Sequence, residues 1–151
     1  MYIFLAAALL AAVCNANPVY GLKPVVGAVS VRAAGSGYRA AAHVAFDLVK
    51  KAPAVVNSTD PGMLAHIRGA QIVAERVARS SNGVIEGFGS TQAQARERLH
   101  AAIARVQADL GKELDREEHV YDSVTENGAA QSQGPAYGFP GGPDAHDPCA
   151  Q

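Results

Sequence analysis

The chain has no tryptophan, and only four phenylalanines and five tyrosines occur in its 151 residues. The basic residues are spread along the chain without interleaved aromatics, so a nucleic-acid surface is not indicated. Cysteine is nearly absent as well, with Cys14 and Cys149 alone. Cys14 falls in a leader described below, so the exported chain keeps one thiol and an internal disulfide is excluded. In an oxidising compartment Cys149 offers an intermolecular disulfide. Catalytic signatures are lacking too: nothing matches G-x-S-x-G, H-E-x-x-H or a glycine-rich phosphate loop. The N-terminal apolar run, Ile3–Val13, has eleven residues. That is well short of the roughly 18–20 needed to span a bilayer.

What is present begins with that run. It is followed by Cys14-Asn15-Ala16, with small residues at the two positions a signal peptidase reads, and then by Asn17-Pro18. No basic segment precedes it. Residues 1–16 therefore read as a signal peptide, and the expected location is secreted and extracellular. Alanine supplies thirty residues. An alanine-rich chain buries less area per residue than one built on Leu and Phe, so the domain is expected to be marginal as a monomer.

Charge is unevenly spread. Residues 17–106 hold eleven Lys and Arg against five Asp and Glu, whereas residues 107–151 hold two against nine. This asymmetry suits head-to-tail association, or an acidic segment that attracts cations.

The pattern predicts a mainly α fold: a small three-helix bundle with short irregular or β-like connections and a disordered Gly/Pro-rich C-terminal tail. Residues 17–37 read as an irregular N-terminal segment in which the Val25–Arg32 alternation allows one short strand. Residues 38–121 form the expected helical domain. Its first helix spans about Tyr38–Lys51, with Ser36 as cap, Lys50 and Lys51 at its end and Pro53 as stop. The second opens with Asp60 as cap and Pro61 at the first position, and buries Met63, Ile67, Ala70, Ala74 and Val77. Arg76 and Arg79 occupy its last turn and Gly83 closes it; Gly69 inside it weakens the helix or permits a close crossing. Gly83–Gly89 is a tight connection or very short strand. The third helix, about Gln92–Tyr121, starts at a Thr91/Gln94 capping box. Its seam is Leu99, Ile103, Val106, Leu110 and Leu114. Residues 122–151 form the flexible, acidic, Gly/Pro-rich tail.

Few residues carry chemistry. Glu97 and His100 have the Glu-x-x-His spacing of di-metal bundles, but the second motif and the partner glutamates are missing. His146, Asp147 and Cys149 fall short of the four ligands of a structural zinc site. No metal, no cofactor and no catalytic residue is expected, and the chain reads as a non-enzyme. Lys50-Lys51 reads as helix-dipole complementation rather than a processing site. Asn57-Ser58-Thr59 is a glycosylation sequon, which makes Asn57 the expected acceptor. In Tyr137-Gly-Phe-Pro-Gly-Gly-Pro143, Tyr137 and Phe139 offer adhesive rings on an extended backbone. Together these features point to a secreted structural or interaction glycoprotein of an extracellular matrix of the cuticle, eggshell or shell type. It would act by self-association and by binding other matrix components through the acidic, Gly/Pro/aromatic tail, without nucleic acid and without membrane after leader removal. The alternative is a secreted helical carrier of a small apolar ligand.

Overall fold

The computed structural model describes residues 20–51 and 59–146. The leader, Asn57 and Cys149 lie outside the described residues. The elements run β1 (Tyr20–Val26), β2 (Ser30–Ala34), β3 (Gly37–Lys50), α1 (Pro61–Arg79), β4 (Gly83–Gly89) and α2 (Gln92–Val124), then short 3₁₀ turns at Glu126–Gly128 and Gln131–Tyr137. The strands form a four-stranded antiparallel sheet in which β3 pairs with each of the others. A sheet of this size overturns the expected three-helix bundle: the fold is mixed α and β.

The correction centres on β3, whose sequence predicts a helix. Three consecutive alanines, Ala40–Ala42, carry high helix propensity, but the residues around them alternate. Ala40, Ala42, Val44 and Phe46 are buried, whereas Arg39, His43 and Asp47 are exposed. That period of two belongs to a strand with one solvated face. The preceding Gly35-Ser36 is a hairpin turn rather than a helix cap. Gly35 sits at φ 60°, in the first central position between the paired residues Ala34 and Gly37, where a type II′ turn needs glycine. The N-terminal segment yields two strands where one was expected, and Gly83–Gly89 is a full seven-residue strand.

The described chain divides into two compact units. One contains Gly21–Val49 and Ala74–Arg116, hence the sheet, the end of α1 and most of α2. Its buried side chains include Ala40, Val44 and Phe46 from β3, Val77 from α1, and Ala95, Leu99, Ile103 and Leu110 from α2. Burying each large one contributes about 2 kcal/mol. Leu99, Ile103 and Leu110 follow the expected seam. The helix lies directly on β4, because a Cβ at Gly87 would come within 2.2 Å of the Leu99 nitrogen. The start of α2 also follows its signal. Thr91 Oγ1 accepts the Gln94 N–H at 3.2 Å, and Gln94 Oε1 accepts the Ser90 N–H at 3.1 Å. Two side-chain amides reach the strands: Gln107 Nε2 donates to the Leu22 carbonyl, and Asn82 Oδ1 accepts the Phe46 N–H where β4 pairing has ended.

The other unit combines the described parts of Lys50–Val73 and Glu117–Gln151 with Tyr20. Helix α1 begins at Pro61 as predicted, with Asp60 Oδ1 accepting the Gly62 N–H at 3.0 Å. Its buried face in this unit is rotated from the predicted stripe: His66, Gly69, Ala70 and Val73 are buried, while Met63 and Ile67 are half-exposed. The expected disordered tail is also corrected. Helix α2 continues to Val124, and Glu126, Asn127 and Gly128 all adopt positive φ to reverse the chain. Residues as far as His146 then pack in this unit. The Ala145 N–H donates to the Gly128 carbonyl at 2.8 Å, and the His146 N–H donates to Asp60 Oδ2 at 2.9 Å. Asp60 thus caps α1 with one oxygen and holds the C-terminal segment with the other. No helix among the described residues is long and apolar enough to cross a membrane.

Candidate functional site

The residues with the richest chemistry meet inside the second of these units. Helix α1 contributes His66, α2 contributes Tyr121 and Asp122, the residue after its end is Thr125, and the C-terminal segment contributes Gln131 and Phe139. His66, Tyr121, Thr125 and Gln131 are each 0% exposed. The sequence permits their approach because residue 69 is glycine: a Cβ there would lie 2.0 Å from the Tyr121 hydroxyl oxygen. The close crossing offered by Gly69 is therefore realised. The His66 and Tyr121 rings stack at 4.9 Å with 7° between planes, and Phe139 meets Tyr121 edge-on at 5.6 Å. Ala70 and Val73 complete the apolar surroundings.

The proton positions follow from one carbonyl. Gln131 Nε2 is 2.9 Å from the Pro140 oxygen, an acceptor only, so the amide nitrogen must face it. The second Nε2 proton goes to the Tyr121 hydroxyl at 2.8 Å, and that hydroxyl donates to the His66 carbonyl at 3.0 Å. Gln131 Oε1 then faces His66 Nδ1 at 3.0 Å, so Nδ1 carries a proton. Thr125 Oγ1 lies 3.2 Å from the same nitrogen and spends its own proton on the Tyr121 carbonyl at 2.7 Å. On the other side of the ring, the Asp122 carboxylate is 3.3 Å from Nε2. That is ion-pair distance without hydrogen-bond alignment, and Nε2 has no hydrogen-bonding partner. Burial drives the Tyr121 hydroxyl up to about 12, because a phenolate there would lose its water; the nearby Asp122 charge acts in the same direction.

Asp122, His66 and Thr125 lie side by side as a carboxylate, an imidazole and a hydroxyl, the residue types of hydrolytic triads, but no hydrogen bond joins the carboxylate to the ring. The resemblance ends at access. His66 and Thr125 are sealed from solvent, and the Thr125 proton is held by the Tyr121 carbonyl of α2. The cluster's demonstrable effect is to fasten the C-terminal segment to both helices by directional bonds.

Of the sequence-selected residues, Phe139 enters this cluster as a partly buried ring rather than an exposed adhesive one; the candidate metal ligands among the described residues do not enter it. Glu97 and His100 are exposed on α2, His146 is exposed, and no group of three or more metal-ligating side chains forms among the described residues. His43 and His119 are exposed too. What sequence reading missed is the His66 face of α1. Its signal was the spacing Gly62-His66-Gly69-Val73, a stripe of small residues around one histidine that appears when residues are grouped by packing space rather than hydropathy. Comparisons with protein-family models, with curated proteins and with solved structures produced no match to this chain.

Proposed function

We propose that this is a secreted, non-enzymatic interaction protein of an extracellular matrix, working by self-association and by contacts with neighbouring matrix components. The observation that carries the reading is the solvated face of the sheet. Val84 and Phe88 on β4 are 64% and 52% exposed, on a strand that also bears Glu86 and borders Arg39 of β3. Exposed apolar side chains rimmed by charge are the composition of a contact surface. The opposite charge excess of residues 107–151 supports association between copies. The architecture of the His66 cluster supports the non-enzymatic part, since its ring, hydroxyls and amide are sealed from solvent and His66 Nδ1, Tyr121, Thr125 and Gln131 are hydrogen-bonded within the protein. Sedimentation velocity of the purified protein over a range of concentrations and salt tests the reading. Concentration-dependent oligomers that weaken with salt are expected; a strictly monomeric species indifferent to both would overturn it.

A further inference from the structure

The sheet register defines the outward face residue by residue, because directly paired residues point to the same side. Arg32 of β2 is paired with Arg39 of β3, and Arg39 in turn with Phe88 of β4. The next row of the same face holds Ser30, Ala41 and Glu86, and beyond it His43 is paired with Val84. Two guanidinium-bearing residues thus stand directly opposite each other, an arrangement that disfavours the sheet unless an anion answers it. Within the row's reach there is one carboxylate, Glu86, which pairs with Arg39 at 3.1 Å. Arg32 has no salt-bridge partner among the described residues. The row therefore presents an unanswered positive charge at one end and an exposed phenyl ring at the other.

A partner for this row must bring carboxylates beside an apolar contact, and the chain itself carries such a segment. Between Glu117 and Glu126 lie Glu117, Glu118, Asp122 and Glu126 with no lysine or arginine. Val120, exposed in the same stretch, supplies the apolar group. We infer that the Arg32–Arg39–Phe88 row of one copy receives the acidic Glu117–Glu126 segment of a second copy. The inference rests on the self-association proposed above and names its two surfaces. Each copy carries both surfaces, so the contact recurs from copy to copy. Attraction between exposed charges also makes the contact salt-sensitive, with screening over about 8–10 Å at physiological ionic strength.

Charge reversal on each side, followed by mixing, tests this in the purified full-length protein. Arg32→Glu/Arg39→Glu removes the receiving row, and Glu117→Lys/Glu126→Lys removes the inserted end while leaving Asp122 beside His66. Far-UV circular dichroism checks that each variant is folded, and sedimentation velocity reads the assembly. Each variant alone should associate at least about tenfold more weakly than wild type. An equimolar mixture should regain association, because the unaltered row and end of the two variants match and the reversed row of one also meets the reversed end of the other. Association of Arg32→Glu/Arg39→Glu equal to wild type would overturn the assigned surface while leaving self-association standing. Wild-type protein that stays monomeric throughout would overturn both. Binding of heparin by monomeric wild type through Arg32 and Arg39 would assign the row to a polyanion and overturn the second copy as its partner.

Discussion

Removing a single oxygen, by Tyr121→Phe, separates the polar from the packing contribution of the buried cluster. The ring keeps its stack on His66 and its edge contact with Phe139, so packing is preserved. What disappears is the acceptor for one Gln131 Nε2 proton and the donor to the His66 carbonyl. Leaving that amide proton buried without a partner costs about 1–3 kcal/mol at neutral pH. The hydroxyl also makes the wild-type protein sensitive to alkali. Its pKa rises from 10.0 to about 12 on folding, so between these values the folded state retains a proton that the unfolded state has lost. Stability then falls as pH rises, by up to about 3 kcal/mol for two units at about 1.4 kcal/mol each. The variant lacks this dependence, and ionisation of the other tyrosines cancels in the comparison. Urea unfolding followed by circular dichroism at intervals from about pH 8 to about pH 12 should therefore show a stability gap that holds to pH 10 and then closes. A gap of constant size across the whole range would refute the assignment of Tyr121 as a buried, neutral hydroxyl.

Other substitutions probe the remaining joints of the fold. Gly87→Ala should destabilise the protein by about 1–3 kcal/mol in urea titration, since the new methyl meets helix backbone rather than a movable side chain. Asp60→Ala should cost about 1–2 kcal/mol through loss of the α1 cap, and limited proteolysis should cut residues 129–146 faster because the His146 N–H loses its acceptor. The Ser132 N–H at 2.9 Å from Asp144 holds that carboxyl below its ordinary value. Stability from this bond is therefore present above the unfolded carboxyl pKa and declines as pH falls through the lower folded value; Asp144→Asn should flatten that acid limb in urea titrations. For the glycoprotein expectation, Asn57→Gln should abolish a mass shift seen on glycosidase treatment of protein secreted from eukaryotic cells.

The elements read correctly from sequence were those whose signals are local and stereochemical. Asp60-Pro61 marks the start of α1 through an orphan N–H and a missing donor, and Thr91 with Gln94 marks the start of α2 in the same way. Leu99, Ile103, Leu110 and Leu114 remain buried because a Leu/Ile seam at helical spacing has few other solutions. β3 was illegible for the opposite reason. Ala40–Ala42 fits a helix by propensity, and only pairing with residues as distant as Gly83–Gly89 converts it into the central strand. Propensity differences of a few tenths of a kcal/mol per residue yield readily to a ladder of hydrogen bonds and a buried face.

The C-terminal segment failed to read as folded because its stabilising contacts are neither apolar nor periodic. Composition scales count Gly, Pro, Gln and Asp toward disorder, since such residues bury little apolar area. Here they act as connectors. The Pro140 carbonyl fixes the orientation of the Gln131 amide, the amide fixes the Tyr121 hydroxyl and the His66 tautomer, and Asp144 secures Ser132. Each bond is modest alone, but an unmade partner inside a sealed cluster costs more than the bond contributes, so the members are retained together. The same bonds hold the C-terminal segment to both helices. A catalytic imidazole needs a proton path to substrate, and His66 directs Nδ1 to an amide oxygen held by proline backbone while the Thr125 proton stays on the Tyr121 carbonyl. Opening the site to a substrate would mean breaking the chain of bonds that holds the segment in place.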